Sequence, residues 1–284
     1  MAIVFEAIEA FFLNNPVVTS LVLLGGLGAV FGLLLAYAAK KFSVQTDPRV
    51  VEIAGVLPGA NCGACGLPGC QGAAEAIAAG KIAINACPVG KEAVANKIAA
   101  IMGIEAEAGE QRRAAVLCAG GREECPDRFT YVGLKDCAAA HRLAGGPKAC
   151  EYGCLGLGSC AVKCPFGAIR IDKRGLAEIG PECTGCGLCV NACPRGLITL
   201  VPAAGDAVAV ACRNKQRGAD IRKICKTGCI ACGICAKNCP ENAITVDANL
   251  AVIDRDKCTH CGACIAKCPT KCIVKIGAGH KTAL

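Results

Sequence analysis

Tryptophan is absent from these 284 residues, and only three tyrosines and seven phenylalanines supply large aromatic volume. A chain so short of aromatic side chains builds a thin apolar core, so something besides side-chain packing must hold it together. The same scarcity argues against a single-stranded nucleic-acid surface, which needs aromatic faces for bases to stack on. Histidine is sparse too, and neither His141 nor His280 has a partner pattern around it. No nucleophile elbow, phosphate-cradling loop or dinucleotide fingerprint occurs. The one glycine-rich stretch of that kind, Gly25-Gly26-Leu27-Gly28, lies inside an uncharged apolar run. Finally, no lysine or arginine precedes Lys40.

What the chain has instead is 26 cysteines. Three runs share one spacing: Cys183-x2-Cys186-x2-Cys189-x3-Cys193-Pro194, Cys229-x2-Cys232-x2-Cys235-x3-Cys239-Pro240 and Cys258-x2-Cys261-x2-Cys264-x3-Cys268-Pro269. A fourth, imperfect run ends at Cys160-x3-Cys164-Pro165. This is the bacterial-ferredoxin spacing for [4Fe–4S] clusters, in which the fourth cysteine of each run serves the other cluster of a pair. A disulfide framework belongs to small secreted domains, and structural zinc sites come as separated ligand pairs. Neither suits cysteines three apart followed by Cys-Pro. The formal charge of +8 counts every cysteine as neutral. A [4Fe–4S] centre with its four thiolates carries about −2, so five of them bring the chain to roughly −2 and remove the case for nucleic acid.

Residues 1–16 are apolar but interrupted, and read as a short interfacial helix. Residues 17–39 carry no charge and are long enough to cross a bilayer as a helix. Lys40 and Lys41 follow at once. The positive-inside rule therefore places the N-terminus outside and all later residues in the cytoplasm, as a single-pass protein of the cell (inner) membrane. Gly25, Gly26, Gly28 and Gly32 give the span a small-residue face. The expected fold class is α+β. It comprises a membrane anchor (1–42, helix about 17–39), a small helical four-cysteine module (43–110), a bridge (111–136) and two tandem ferredoxin-like α+β repeats (137–205 and 206–284). Residues 43–56 read as a linker. In the module, Cys62-x2-Cys65-x4-Cys70-x16-Cys87-Pro88 offers four thiolates for one [4Fe–4S] cluster, with helices over 72–79 and 91–102.

The repeats show themselves by an offset of 75. It carries Cys137 to Cys212, Cys150 to Cys225, Cys154 to Cys229, Cys160 to Cys235 and Cys164 to Cys239, and the run from Cys183 to that from Cys258. Strands are expected over 114–117, 168–171, 197–201, 243–246 and 273–276. Exchange of the fourth cysteine assigns one cluster to Cys229, Cys232, Cys235 and Cys268 and another to Cys258, Cys261, Cys264 and Cys239. A third takes Cys183, Cys186, Cys189 and Cys164. The irregular site has Leu157 where a ligand belongs, and keeps Cys154, Cys160 and Cys193. Cys150 is the nearest spare thiol and the expected fourth ligand. Cys137, a three-cysteine [3Fe–4S] centre or a water-bound iron are the alternatives. Five clusters are thus expected. Cys118, Cys125, Cys137, Cys212, Cys225 and Cys272 are left over. Cys272 reads as a buried apolar thiol, and a sixth cluster drawing on the others stays open.

One membrane helix, a Cys-x2-Cys-x4-Cys-x16-Cys module and tandem ferredoxin repeats, in that order, resemble the B subunit of the Rnf complex over essentially the whole chain. The run from Tyr152 to Cys160, with Cys164-Pro-Phe-Gly-Ala-Ile169 after it, is similar to the anaerobic, multi-cluster branch of that family. The resemblance implies an electron-transfer component of a ferredoxin:NAD+ oxidoreductase that translocates Na+ or H+. It implies a soluble ferredoxin as donor, and membrane-embedded and flavin-bearing subunits of the same complex as partners. The residues alone reach a membrane-anchored polyferredoxin, with no catalytic bond-making residue on this chain. At that level an electron-relay subunit of another anaerobic membrane complex, such as a hydrogenase or a bifurcating reductase, stays open. The N-terminal module lies nearest the membrane helix in sequence, and is expected to be where electrons leave.

Overall fold

The computed structural model describes residues 16–42, 47–106, 109–203, 205 and 207–276. The apolar segment 1–15 and His280 lie outside the described residues. Helix α1 (Pro16–Lys41) is a unit by itself. Proline opens it, where a missing N–H costs nothing because the first N–H groups have no helical partner. Lys40 and Lys41 sit in its last turn, favourably placed against the negative end of the helix dipole. At 1.5 Å per residue it is about 39 Å long, enough for a hydrocarbon core of about 30 Å. None of its side chains is buried within the chain, as an apolar helix whose solvent is lipid requires.

The second unit begins at Pro48. Helices α2 (Pro48–Val56), α3 (Gly69–Ala78) and α4 (Lys91–Met102) share one small core of Val50, Ile53, Leu57, Ala73, Ala74, Ile77 and Ile98. The second half of the segment read as a linker is therefore helical. Val50, Ile53 and Leu57 recur at helical spacing and have a face to bury, which a linker lacks. Helix α4 ends at Gly103, left-handed at φ +68°, the usual glycine stop.

The rest of the described residues hold four antiparallel two-stranded sheets and short helices. Strand β1 (Arg112–Val116) pairs with β4 (Ile198–Pro202), and β2 (Ile169–Ile171) with β3 (Ala177–Ile179). In the second repeat β5 (Ala207–Val210) pairs with β8 (Ile273–Ile276), and β6 (Ile244–Asp247) with β7 (Leu250–Ile253). The register revises the repeat. Val116 faces Ile198 and Val210 faces Ile273, and the latter of each pair are 75 apart. Val116 thus corresponds to Val210, and Cys118, not Cys137, corresponds to Cys212. The next hydrogen bonds agree: Leu117 N–H donates to the Leu197 carbonyl and Ala211 N–H to that of Cys272, both at 2.7 Å. The stretch read as a bridge therefore contains the first strand of the first repeat. It continues into an insertion that carries Cys125, Cys137 and helix α5 (Cys137–Arg142). Ala115, Leu117 and Val201 of one repeat pack on Ala209 and Ile276 of the other.

Short helices follow each cysteine turn: α6 (Ser159–Val162), α7 (Leu188–Ala192), α9 (Ile234–Lys237) and α10 (Ala263–Lys267), with α8 (Gly218–Ile224) between the repeats. The turns need left-handed backbone at one equivalent position in each run: Gly156 (φ +69°), Gly185 (+74°), Ala231 (+55°) and His260 (+57°). Space explains why two of these are glycine. A Cβ on Gly185 would run into the backbone carbonyl of Arg112, and one on Gly156 into that of Gly175. Gly185→Ala is therefore expected to lower the melting temperature of the loaded protein. It costs about 1–2 kcal/mol of left-handed strain plus the displacement of β1. Ala231→Gly, at the matching position, should leave the melting temperature unchanged or raise it. Equal effects of the two changes would refute this account.

Candidate iron–sulfur sites

All 26 cysteines are free thiols. Among the described residues no three His, Cys, Asp or Glu side chains converge closely enough to hold a single metal ion. The cysteines instead ring small cavities. Cys229, Cys232, Cys235 and Cys268 line one, and Cys239, Cys258, Cys261 and Cys264 another. In the first repeat, Cys183, Cys186 and Cys164 lie close enough to Cys189 to disfavour its thiolate by repulsion. In the helical module Cys62 and Cys70 are those of Cys87, with Cys65 packed on the same core. Asn61 shapes that last loop: its side-chain oxygen accepts from Cys70 N–H at 2.8 Å.

The irregular site is lined by Cys137, Cys154, Cys160 and Cys193. Cys150, the expected fourth ligand, is elsewhere. The inserted helix α5 explains the difference. Asp136 caps it by accepting from Ala139 N–H at 2.7 Å, and also accepts from the Ser159 hydroxyl at 2.8 Å. Ser159 Oγ in turn accepts from Cys137 N–H at 2.6 Å. This network ties Cys137 to the helix that carries Cys160, and Cys137 stands where Leu157 left a gap. Cys150 is held by the other repeat, where the Asn214 side chain donates to its sulfur at 3.3 Å. It lines a separate cavity with Cys118, Cys125, Cys212 and Cys225. Asn214, Arg195 and Lys148 are participants that carry no motif; the signal the sequence does offer for Cys125 is the Cys125-Pro126 step. Arg195 donates to the carbonyls of Cys150 (3.0 Å), Gly153 and Gly145, and so braces the loop below the irregular site.

The donor set fits iron–sulfur clusters. Backbone N–H groups point at sulfur at several sites: Ala114 to Cys183 (3.3 Å), Ala243 to Cys239 (3.3 Å), Leu197 to Cys193 (3.4 Å) and Gly90 to Cys87 (3.4 Å). Such donors favour a thiolate. Burial works the other way. It pushes Cys160 up to about 12, with repulsion from Cys154, Cys137, Cys193 and Cys189 adding to it, and Cys189 and Cys264 up to about 11. Packed thiols of this kind ionise together only around a cationic metal core. Cys272 lines the cavity of Cys229 and Cys268 too, at a position outside the repeated motif spacing. It is 2% exposed, its sulfur lies 3.6 Å from that of Cys268, and it packs against Cys229 as well. It replaces the buried Leu197 of the first repeat as a thiol set against two ring sulfurs. His260 is exposed, accepts from Val208 N–H at 3.3 Å and lies 3.7 Å from Cys258 Sγ.

Comparison with known proteins agrees with this chemistry. Residues 57–89 match the family described as a putative Fe-S cluster. Residues 228–272 match one 4Fe-4S dicluster domain family, and 149–198 and 182–244 match another. The B subunit of the Na(+)-translocating ferredoxin:NAD(+) oxidoreductase complex of Acetobacterium woodii is 49% identical, over 86% of this chain and 73% of its own. The proton-translocating counterpart of Clostridium ljungdahlii is 47% identical over 85% of each chain. The B subunit of the ion-translocating oxidoreductase complex of Methanosarcina acetivorans is 41% identical, over 86% of this chain and 93% of its own. With a candidate membrane span ahead of iron–sulfur domains, and such identity over most of its length, the chain belongs to the B-subunit family of the Rnf complex, the ion-translocating ferredoxin:NAD+ oxidoreductase.

Proposed function

We propose that this chain accepts electrons from reduced soluble ferredoxin on the cytoplasmic side and passes them to other subunits of an ion-translocating ferredoxin:NAD+ oxidoreductase. Bound [4Fe–4S] clusters supply one-electron transfer, with potentials tuned by charge, hydrogen bonds to sulfur and exposure. Five sets of ligands are assigned to the chain. They are Cys62/Cys65/Cys70/Cys87, Cys164/Cys183/Cys186/Cys189, Cys137/Cys154/Cys160/Cys193, Cys229/Cys232/Cys235/Cys268 and Cys239/Cys258/Cys261/Cys264. The observation that carries the reading is their succession. A cleft of about 300 Å³ is lined by Cys87 of the module and by Cys183 and Cys186 of the first repeat, so the two sites face one space. The exposed Cys232 and Cys261 of the second repeat suit the accepting end. The module, next in sequence to α1, suits the delivering end. Lys40 and Lys41 support a cytoplasmic location for the repeats.

One experiment tests donor and orientation together. Reduced low-potential ferredoxin is added to sealed, anaerobic membrane vesicles of known sidedness. Bleaching of the iron–sulfur absorbance is expected only when the cytoplasmic face is outward. Clusters that stay oxidised there, or bleach only in the opposite orientation, overturn the proposal.

A further inference from the structure

We propose that a sixth iron–sulfur centre sits between the two repeats, with Cys118, Cys150, Cys212 and Cys225 as its ligands. The inference rests on reading the chain as an iron–sulfur relay, and adds a site to it. The strand register makes Cys118 and Cys212 equivalent, and the offset of 75 does the same for Cys150 and Cys225. The four thiols are therefore two pairs contributed by matching positions of the two repeats, and they line one cavity. The internal symmetry of the chain produces a four-thiol ring at the place where its halves meet.

The surroundings are those of a built site. Cys118 and Cys150 are 7% exposed and Cys225 9%. Gly120 keeps the space open, since a Cβ there would lie 2.9 Å from Cys225 Sγ. Lys148 is 3% exposed, and no carboxylate pairs with it among the described residues. Its charge acts instead on Cys118 and Cys225, and on Cys154 of the neighbouring ring. A buried cation beside buried thiols calls for negative charge in the cavity, which a thiolate-bound cluster supplies. Asn214, 1% exposed, aims its amide at Cys150 Sγ. Cys154 N–H donates to Cys118 Sγ at 3.4 Å, and Cys212 packs against the cluster that holds Cys229. Cys154 belongs to the irregular ring and Cys229 to the ring of the second repeat, so this cavity touches one ring on each side. Without a centre here the two repeats hold separate pairs of sites.

Cys125 is the fifth thiol, and it is assigned as a donor. It packs against both Cys150 and Cys225, as Cys272 packs against Cys229 and lies 3.6 Å, sulfur to sulfur, from Cys268. Both are fully buried non-repeating cysteines set against two ring sulfurs.

The test is a cluster count on the full chain, purified anaerobically, by native mass spectrometry with iron and sulfide analysis. Six clusters and about 24 iron atoms per chain are expected. Cys225→Ala and Cys118→Ala should each lose one cluster, about one sixth of the iron, whereas Cys125→Ala and Cys272→Ala should keep all six. Five clusters in the wild type overturn the site, whether or not the variants fold. A Cys125–Cys150 disulfide in that five-cluster protein would show what the cavity holds instead. Loss on Cys125→Ala with retention on Cys118→Ala overturns the ligand set. A wild type carrying zinc, or no metal, overturns the iron–sulfur reading itself.

Discussion

Removing iron from the anaerobic protein is expected to unfold residues 48–276 while leaving helix α1 intact. The buried side chains are mostly alanine, cysteine, isoleucine, valine and leucine, with no aromatic among the described residues. Every sheet among the described residues has two strands, and an isolated hairpin of that kind is marginal in water. The repeats' helices run from four to seven residues, well below the length at which a helix holds itself. What remains are the cysteine rings, each of which joins distant segments. Structural zinc contributes about 10–16 kcal/mol of apparent binding free energy per site. A single site of that size matches the whole stability of an ordinary domain, about 5–15 kcal/mol. Several sites in one chain leave little fold without metal. Helix α1 depends on none of this, because its backbone is satisfied internally and its solvent is lipid. Chelation followed by far-UV circular dichroism and limited proteolysis in detergent checks the expectation. Signal should fall to that of about one long helix, and protease should digest all but the anchor. A cooperative melting transition surviving iron removal would refute it.

Cys137→Ala is expected to empty the irregular site, with a loss of about four iron atoms. The effect should not add to that of Cys160→Ala. Two residues of one ring disable the same centre, so the double variant should lose no more iron than either single one, the signature of non-additive partners. Cys137 is anchored through Ser159 to the helix bearing Cys160, so both changes act on one cavity. Cys150→Ala, by contrast, should leave this site loaded, since Cys150 is turned towards Asn214. Full iron in Cys137→Ala, or losses that add with those of Cys160→Ala, would return the fourth ligand to another residue. Asp136→Ala is the useful control for folding. It removes the cap of α5 at a cost of about 1 kcal/mol and keeps every thiol.

Much of this protein is readable from local spacing. The apolar run 17–39 is a local signal, and α1 covers it with one extra residue at its start and two at its end. Cysteines two or three residues apart share one turn, so the turn itself sets their relation. Strand positions after each Cys-Pro follow from the same repeat, to within a residue or two at the ends. Strands β3, β5 and β7 carry no such signal. Each is only three or four residues long and takes its identity from a partner strand.

The sequence alone determined the N-terminal apolar helix and the ferredoxin-like 4Fe-4S pattern. Those features are written in spacings of a few residues, which helix and turn geometry convert directly into position. Only the tertiary structure placed Cys137 and not Cys150 in the cavity of the irregular site, matched Cys118 to Cys212, and gathered five thiols where the repeats meet. There the relevant separation runs through space, across a strand pairing and an insertion of unequal length. The offset of 75 that paired Cys137 with Cys212 could not register that insertion. Backbone hydrogen bonds between β1 and β4 and between β5 and β8 set the true correspondence, and they exist only once the chain has folded.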